Sequence, residues 1–405
     1  IIINQCSEGG IDHGNYVTKG MAEVLAAYNC ALIADMFGDA PCSQAALIDE
    51  NGSPVYLTPK MDKQEEIYTQ AMQYLDDAIA DLQKEDLIDP EAQDLLYQGD
   101  AEKWLKLAYG LKARYTMHLL KRSANKDADM EKVLEYVNNS FESAEEQAAF
   151  DVYDANNINP LYGFFVARAG LGASESMRSK LAEYNDPRLS RAFITKQGTS
   201  GKEQAPGTAD NAVYAPNGTP EQGTSKYGTS LFMYSISAPT LLLSYHELKF
   251  LEAEALCRLE RDAKSALKDA VVAGLLNAEN SFTISRKELG KTLINAASSI
   301  TEAEAESYFD NTIEAKYTAE PLKTTMTQKY FALWGASGEA TESYNDVRRM
   351  KGLGENFIEL KNPNSFPLRC PYGNSDTTTN AEVKAAYGNG QYVYSENVWW
   401  AGGSR

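Results

Sequence analysis

Apolar residues recur at helical spacing through most of this chain, and that periodicity constrains the fold more than any other feature. From Gly20 to Phe37 they fall at Met21, Val24, Leu25, Tyr28, Leu32 and Met36, one face of a helix; Gly38 then offers a left-handed stop and Pro41 forbids continuation. A second helix is expected to open at Asp62, whose side chain can cap while Glu65 reaches back, and to run through Ile67, Ala71, Tyr74, Leu75, Ala78 and Leu82. A third starts near Asp100 and carries Trp104, Leu105, Ala108, Leu111, Tyr115 and Leu119, and a fourth spans roughly Asp129 to Ala149. Helices resume at Pro239, which suits a first helical position, and continue to about Leu259, with a return helix from Asp262 to Asn277. A further pair runs from Thr301, capping with Glu304, to Tyr317 and then from Pro321 to Trp334. Two antiparallel helices joined by a tight turn are the unit of a TPR-like solenoid, although no TPR consensus aligns here.

Between these pairs the periodicity stops. After Phe150 comes the Asn-rich run DVYDANNINPLYGFF, then a short helix around Glu175 to Tyr184 and a turn at Asp186-Pro187-Arg188. Gln197 to Tyr227 is rich in Gly, Thr, Ala, Pro and Asn and reads as a long surface excursion, part of an irregular region from about 150 to 238. No composition shift cuts the chain, so a single domain over 1–405 is expected. The stretch TQKYFALWGASGEATESYNDVRRMK, Thr327 to Lys351, gives a helix, a Gly break at Gly335 to Gly338 and a second helix. Tyr344 and Arg348 lie one turn apart on that helix, close enough for guanidinium on ring, and the adjacent Arg349 adds a second fork for tying helix ends to loops. The adjacent Trp399 and Trp400 are expected to pin the tail against the body.

The formal charge of −19 and pI near 4.7 oppose nucleic acid and anionic lipid surfaces as partners. No apolar run approaches the ~20 residues that span a bilayer. The opening Ile1-Ile2-Ile3-Asn4-Gln5-Cys6 lacks a basic head and a lipobox, so it is no signal peptide. Five scattered cysteines without a C-x-x-C pair imply neither a disulfide framework nor a zinc site, and no metal or cofactor is expected. Cys30 and Cys257 sit in apolar helical patterns as small core residues; Cys30 and Cys42 could meet across a turn, though no bridge is assigned.

Catalytic constellations are missing from the sequence. The histidines are His13, His118 and His246; His246-Glu247 starts like H-E-x-x-H, but Phe250 stands where the second histidine is needed. No G-x-S-x-G, P-loop or dinucleotide fingerprint occurs. Glu247 and Glu254, two turns apart and so about 10 Å apart on one helix face, are expected in solvated or capping roles. No enzyme is expected.

Five segments carry a family resemblance in one consistent order. YNCALIADMFGDAPCSQAAL (Tyr28 to Leu47), EKWLKLAYGLKARYTMHLL (Glu102 to Leu120), SYHELKFLEAEALCR (Ser244 to Arg258), the Thr327 to Lys351 stretch and FPLRCPYGNSDTTTN near the end all resemble the SusD/RagB superfamily. Departures are Tyr344 where Trp is usual, Met350-Lys351-Gly352 for the usual tail, Cys370 for an apolar residue, Gly373 for Pro and Asp376 for Glu. The resemblance implies an all-α fold of four TPR-like helix pairs, an alpha-alpha superhelix, with long irregular loop excursions forming a ligand site. It implies a non-catalytic, lipid-anchored protein of the outer membrane's cell surface, truncated here at its N-terminus, so that membrane contact runs only through an anchor upstream of this chain. Its cargo would be an oligosaccharide, taken up through a SusC-like TonB-dependent transporter; a RagB-type peptide cargo, or less readily an all-α carbohydrate-active enzyme, are the alternatives. Stacking on sugar faces calls for loop aromatics, and the candidates are Tyr16, Tyr153, Tyr162, Tyr214, Tyr227 and Tyr234.

Overall fold

Side-chain caps set the start of five of the helices. Asp100 accepts from the backbone N–H groups of Glu102 and Lys103, Asn125 from Ala128, Ser174 from Met177, Ser244 from Glu247 and Thr301 from Glu304. The computed structural model describes residues 1–49, 51–168, 171–197, 203–207, 212–218, 226–335, 338–362, 364–387 and 392–404. In chain order its α-helices are α1 (Ile2–Cys6), α2 (Tyr16–Phe37), α3 (Gln64–Asp81), α4 (Ala101–His118), α5 (Lys126–Asn138), α6 (Pro160–Arg168) and α7 (Glu175–Glu183). They continue with α8 (Tyr245–Arg258), α9 (Lys264–Leu289), α10 (Glu302–Tyr308), α11 (Glu314–Ala319), α12 (Pro321–Ala332), α13 (Ala340–Leu353), α14 (Asn374–Thr379) and α15 (Ala381–Tyr387). The strands are β1 (Ala148–Phe150), β2 (Phe193–Gln197), β3 (Glu203–Pro206), β4 (Thr229–Ser230) and β5 (Thr240–Leu243). The fold is all-α, and neighbouring helices pack as pairs: α2 on α3, α4 on α5, α8 on α9 and α11 on α12.

Two compact units emerge. The first comprises Ile1–Glu142, Tyr344–Asn356 and Ser365–Arg405; the second comprises Ser143–Ser343 and Phe357–Asn364.

In the first unit α2 lies against both α3 and α4. Contrary to the sequence reading, α2 is long and apolar enough, by length and composition, to cross a bilayer. Yet it carries buried Glu23 and Asp35, which suits the core helix of a globular unit. Asp35 is the centre of a buried polar network. Its carboxylate accepts from Trp400 Nε1 at 2.9 Å, from the Tyr68 hydroxyl and from Asn345 Nδ2 at 3.3 Å, while its backbone oxygen takes Arg348 Nη1 at 2.6 Å. The Arg348 guanidinium lies 4.0 Å from the Tyr344 ring centre, as the one-turn spacing predicts, and 4.9 Å from that of Trp400. Trp400 is fully buried, stacks on His118 at 5.6 Å and donates its backbone N–H to Gln64 Oε1, so the tail is pinned as expected. The turn after α2 is gripped as well: Gly38 adopts φ 82°, Asp39 accepts from Gln64 N at 2.9 Å, and the Tyr372 hydroxyl donates to the Phe37 carbonyl at 3.1 Å.

Two helix starts differ from the sequence reading. The second helix begins at Gln64 with Lys63 at the cap position and Glu66 reaching back, because Asp62 is committed elsewhere, accepting from Cys42 N, Ser43 N and Ser43 Oγ. Pro239 does not start a helix; Thr240–Leu243 is instead strand β5, antiparallel to β1, and Ser244 caps α8 after it. The presumed long fourth helix stops at Asn138, since residues 148–150 are taken by β1.

In the second unit α8, α9 and α12 pack on one another, with the aromatic core Phe193, Phe232, Phe250, Phe282, Phe309 and Phe331 between them and the loops. Glu247 and Glu254 are fully buried rather than solvated, and Glu254 is held by Arg258 Nε at 2.7 Å. The irregular region is more regular than its composition suggests. It contains α6, unanticipated, and the antiparallel sheet β3-β2-β4, in which Thr195 faces Ala205 and Ile194 faces Thr229. The parts of the expected surface excursion at 198–202, 208–211 and 219–225 lie outside the described residues.

Glu23 supplies a test of burial in the first unit. Lys19 pairs with it at 3.1 Å, but Lys19 also reaches Asp81 at 2.6 Å and Glu23 Oε2 has no hydrogen-bond partner, so desolvation wins and the carboxyl is pushed up to about 7. A carboxyl raised in the folded state favours its protonated form: its contribution is fully present below the ordinary value near 4.5 and lost as pH rises through about 7. Glu23→Gln should therefore stabilise the protein by about 2 kcal/mol near pH 8, with the gain vanishing below about pH 5, as read by urea unfolding at both pH values.

Candidate functional site

Backbone pairing in the second unit brings three loop segments around one hollow. Strand β2 hydrogen-bonds β3 on one side and β4 on the other, and Ala173 N donates to the Gly228 carbonyl at 2.8 Å, drawing the 226–230 segment in. Gly228 sits so close to the sheet that a Cβ there would lie 2.8 Å from the Ile194 oxygen, which reserves the position for glycine. The resulting cavity has a volume of about 220 Å³ and is lined by Phe165 and Val166 of α6, Lys196 of β2, Gln204 of β3, and Tyr227 and Tyr234.

Its aromatic wall is fixed by its own contacts. Phe165 meets the Tyr234 ring edge-on, centres 5.1 Å apart, and Gln204 Nε2 donates to the Tyr234 hydroxyl at 2.9 Å. Burial pushes the Tyr234 phenol up from its ordinary value, so it is neutral at physiological pH. Gln204 is itself held in place, because its backbone oxygen accepts from Ile294 N at 2.8 Å. Apolar ring faces, an oriented side-chain amide and the ammonium of exposed Lys196 thus converge on one space. That set can accept a polar ring compound by stacking and hydrogen bonding.

The six tyrosines read from the sequence are distributed unevenly. Tyr227 and Tyr234 meet at this cavity. Tyr214 packs into the aromatic core, edge-on to Phe193 at 5.3 Å and with Arg178 5.6 Å from its ring centre. Tyr153 hydrogen-bonds Thr240 Oγ1 at 2.6 Å, and Tyr162 donates to Glu288 Oε1 at 3.2 Å, each tying its own segment to a neighbour. Tyr16 belongs to the first unit, where it opens α2 against His13 and beneath Lys84. Sequence reasoning missed Phe165 and Gln204. The first lies in the run Gly163-Phe164-Phe165, whose apolar character signalled the unanticipated α6; the second was hidden in a segment without periodicity.

A larger hollow of about 440 Å³ lies along α8, α9 and α10. It offers one aromatic ring, Tyr245, among Lys268, Asp269, Glu302 and Glu306, and the buried His246 at its side is held neutral, its imidazole brought down to about 4 by desolvation. Rings for stacking are concentrated in the smaller cavity.

A body of paired helices, carrying a small aromatic cavity among its irregular insertions, is a helical scaffold with a candidate site built from its loops. The chain belongs to the SusD-like family: residues 2–372 match the family model described as starch-binding associating with outer membrane. A SusD/RagB family protein from Bacteroides thetaiotaomicron is 67% identical, with a TM-score of 0.94 over 100% of this chain and 84% of its own. A SusD homolog from Bacteroides fragilis is 20% identical with a TM-score of 0.73, covering 96% of this chain and 85% of its own. A chitin-binding protein is 21% identical with a TM-score of 0.72, covering 98% of this chain and 83% of its own; both of these share the fold. No curated protein matches the chain. The family is one of binding proteins associated with the outer membrane.

Tyr214 and Tyr227 are not loose loop residues: Tyr227 is 6% exposed and Tyr214 packs on the core. Replacing both with alanine should lower the melting temperature and cost about 3 to 6 kcal/mol in denaturant unfolding, so this pair is unsuited to testing ligand contact.

Proposed function

We propose that this protein is a non-catalytic, cell-surface capture protein for an oligosaccharide, passing its cargo to a SusC-like TonB-dependent transporter, with a lipid anchor upstream of the chain. The observation that carries this reading is the pairing of the Tyr227 and Tyr234 rings and Phe165 with the Gln204 amide around a cavity of about 220 Å³. A space below the ~300 Å³ at which pockets for drug-sized ligands begin suits one sugar unit, with the rest of the chain running out over the surface. Tyr234 and Tyr227 would stack on the C–H faces and Gln204 would meet a hydroxyl, so the cavity holds one end of the glycan. Tyr153, Tyr162 and Tyr214 would keep the surrounding segments in place, and Tyr16 would take no part in this cavity.

The absence of catalysis is part of the proposal. Glu247 and Glu254, the carboxylate pair at glycosidase-like spacing in the sequence, are fully buried. A peptide is the second reading, and exposed Lys196 at the rim of the cavity favours it, since an ammonium there can meet a peptide carboxylate.

Calorimetric titration against a panel of neutral oligosaccharides and short acidic peptides, with mass spectrometry of each mixture, tests these readings together. Saturable binding of an intact saccharide is expected; cleavage of the ligand would overturn the non-catalytic assignment, and binding of peptides alone would favour the second reading. Gln204→Ala and Tyr234→Ala should each weaken saccharide binding at least tenfold, about 1.4 kcal/mol, whereas Tyr153→Phe should leave it unchanged.

A further inference from the structure

The two half-buried cysteines Cys30 and Cys42 stand apart from everything the cavity uses. Cys30 lies on the last turns of α2 and Cys42 just past the turn that ends it, and their sulfur atoms are 3.1 Å apart. Cys6, Cys257 and Cys370 show no comparable contact; Cys257 faces Thr325 Oγ1 at 3.7 Å. The approach of the first two is enforced by backbone, not by chance rotamers. Gly38 turns the chain at φ 82°, Ala40 and Asp62 pair their backbones in both directions at 3.1 and 3.0 Å, and the Asp62 carboxylate accepts from Cys42 N at 3.0 Å, Ser43 N at 2.7 Å and Ser43 Oγ at 2.8 Å. Lys60 balances that carboxylate at 2.9 Å. Segment 40–43 is therefore fixed to the residues leading into α3, which packs on α2, before any covalent bond exists.

We propose that Cys30 and Cys42 are a disulfide site, closed on the mature protein by exchange with a disulfide-carrying oxidant outside the cytoplasm. The compartment agrees, because the family is associated with the outer membrane, where disulfides persist. In the step, the Cys42 thiolate attacks one sulfur of the oxidant's disulfide and expels the other as thiolate. Cys30, losing its proton, then attacks the Cys42 sulfur and expels the second, so the protein loses two protons and two electrons and the oxidant leaves as a dithiol. The order follows from the shared hydrogen bond, in which either sulfur can donate: it holds the Cys42 thiol below its ordinary value and, together with burial, the Cys30 thiol above it. What the bond would secure is the base of an apolar excursion. Beyond Cys42 the backbone pairs Ile48 with Pro54, and Leu47, Ile48, Val55, Tyr56 and Leu57 are all exposed, Leu57 at 87%. A bond at its root fixes where that surface leaves the body.

The sequence makes the test simple. No Lys or Arg occurs between Lys19 and Lys60, so trypsin places both cysteines on one peptide, residues 20–60. The purified chain is incubated with oxidised glutathione, unfolded in iodoacetamide, digested and weighed. The expected result is a peptide that has lost two hydrogens and takes no alkyl group until dithiothreitol is added, with a melting temperature about 3 to 6 °C above that of the reduced protein. Cys30→Ser and Cys42→Ser should both abolish the redox dependence of melting. Two alkyl groups on peptide 20–60 after oxidation, or a stable glutathione adduct on Cys42, would overturn the proposal; these readouts use the unmutated chain and stand whether or not the variants fold.

Discussion

Unit one depends on the burial of a single carboxylate. Asp35 is 2% exposed, and an isolated charge there would cost several kcal/mol. The cost is offset because donors arrive from every element around it: Tyr68 from α3, Asn345 from α13 and Trp400 from the tail, with His118 of α4 beside it at 3.5 Å. Arg348 adds the opposite charge while stacked between Tyr344 and Trp400 and bound to the Asp35 carbonyl. Tyr68, His118, Asn345, Arg348 and Trp400 are themselves buried, so these groups and Asp35 support one another cooperatively.

The second unit places its polarity differently. Its core combines an aromatic cluster with buried polar groups such as Arg188, Glu247 and Glu254, and the polar groups of the proposed site sit where irregular backbone interrupts the helices. The cavity exists because a short sheet, β3-β2-β4, holds loop segments at fixed spacing, and because Gly228 lets one of them come close. Helices supply the rigid frame; the sheet supplies the position of Gln204 and the depth at which Tyr227 lies.

The helical half of this architecture was legible because periodicity and capping are local. Asp100 and Thr301 cap as their sequence contexts predict, and Tyr344 with Arg348 stack as one-turn neighbours do. Asp62 shows where local reasoning fails: it has the right residue type at the right place for a cap, but a turn twenty residues earlier in the chain claims its carboxylate. Pro239 fails similarly, since the pairing of β5 with β1 is decided by a strand nearly a hundred residues away. For the site, aromatic loop residues could be nominated from sequence, but which of them share a cavity depends on the pairing of β2 with its neighbours. Gln204 carries no local mark at all.

The assembly of unit one from both ends of the chain has a consequence for biosynthesis. Its first 142 residues are translated early, but the partners of Asp35 and of the turn after α2 include Arg348, Arg369, Tyr372 and Trp400, which emerge last. Until then the polypeptide holds a carboxylate and several carbonyls with nothing to cover them, and the contacts that complete the unit span more than three hundred residues of sequence. Completion of unit one is thereby made conditional on synthesis through Trp400. A chain ending before Arg348 would leave unit one open at its centre and exposed to proteolysis.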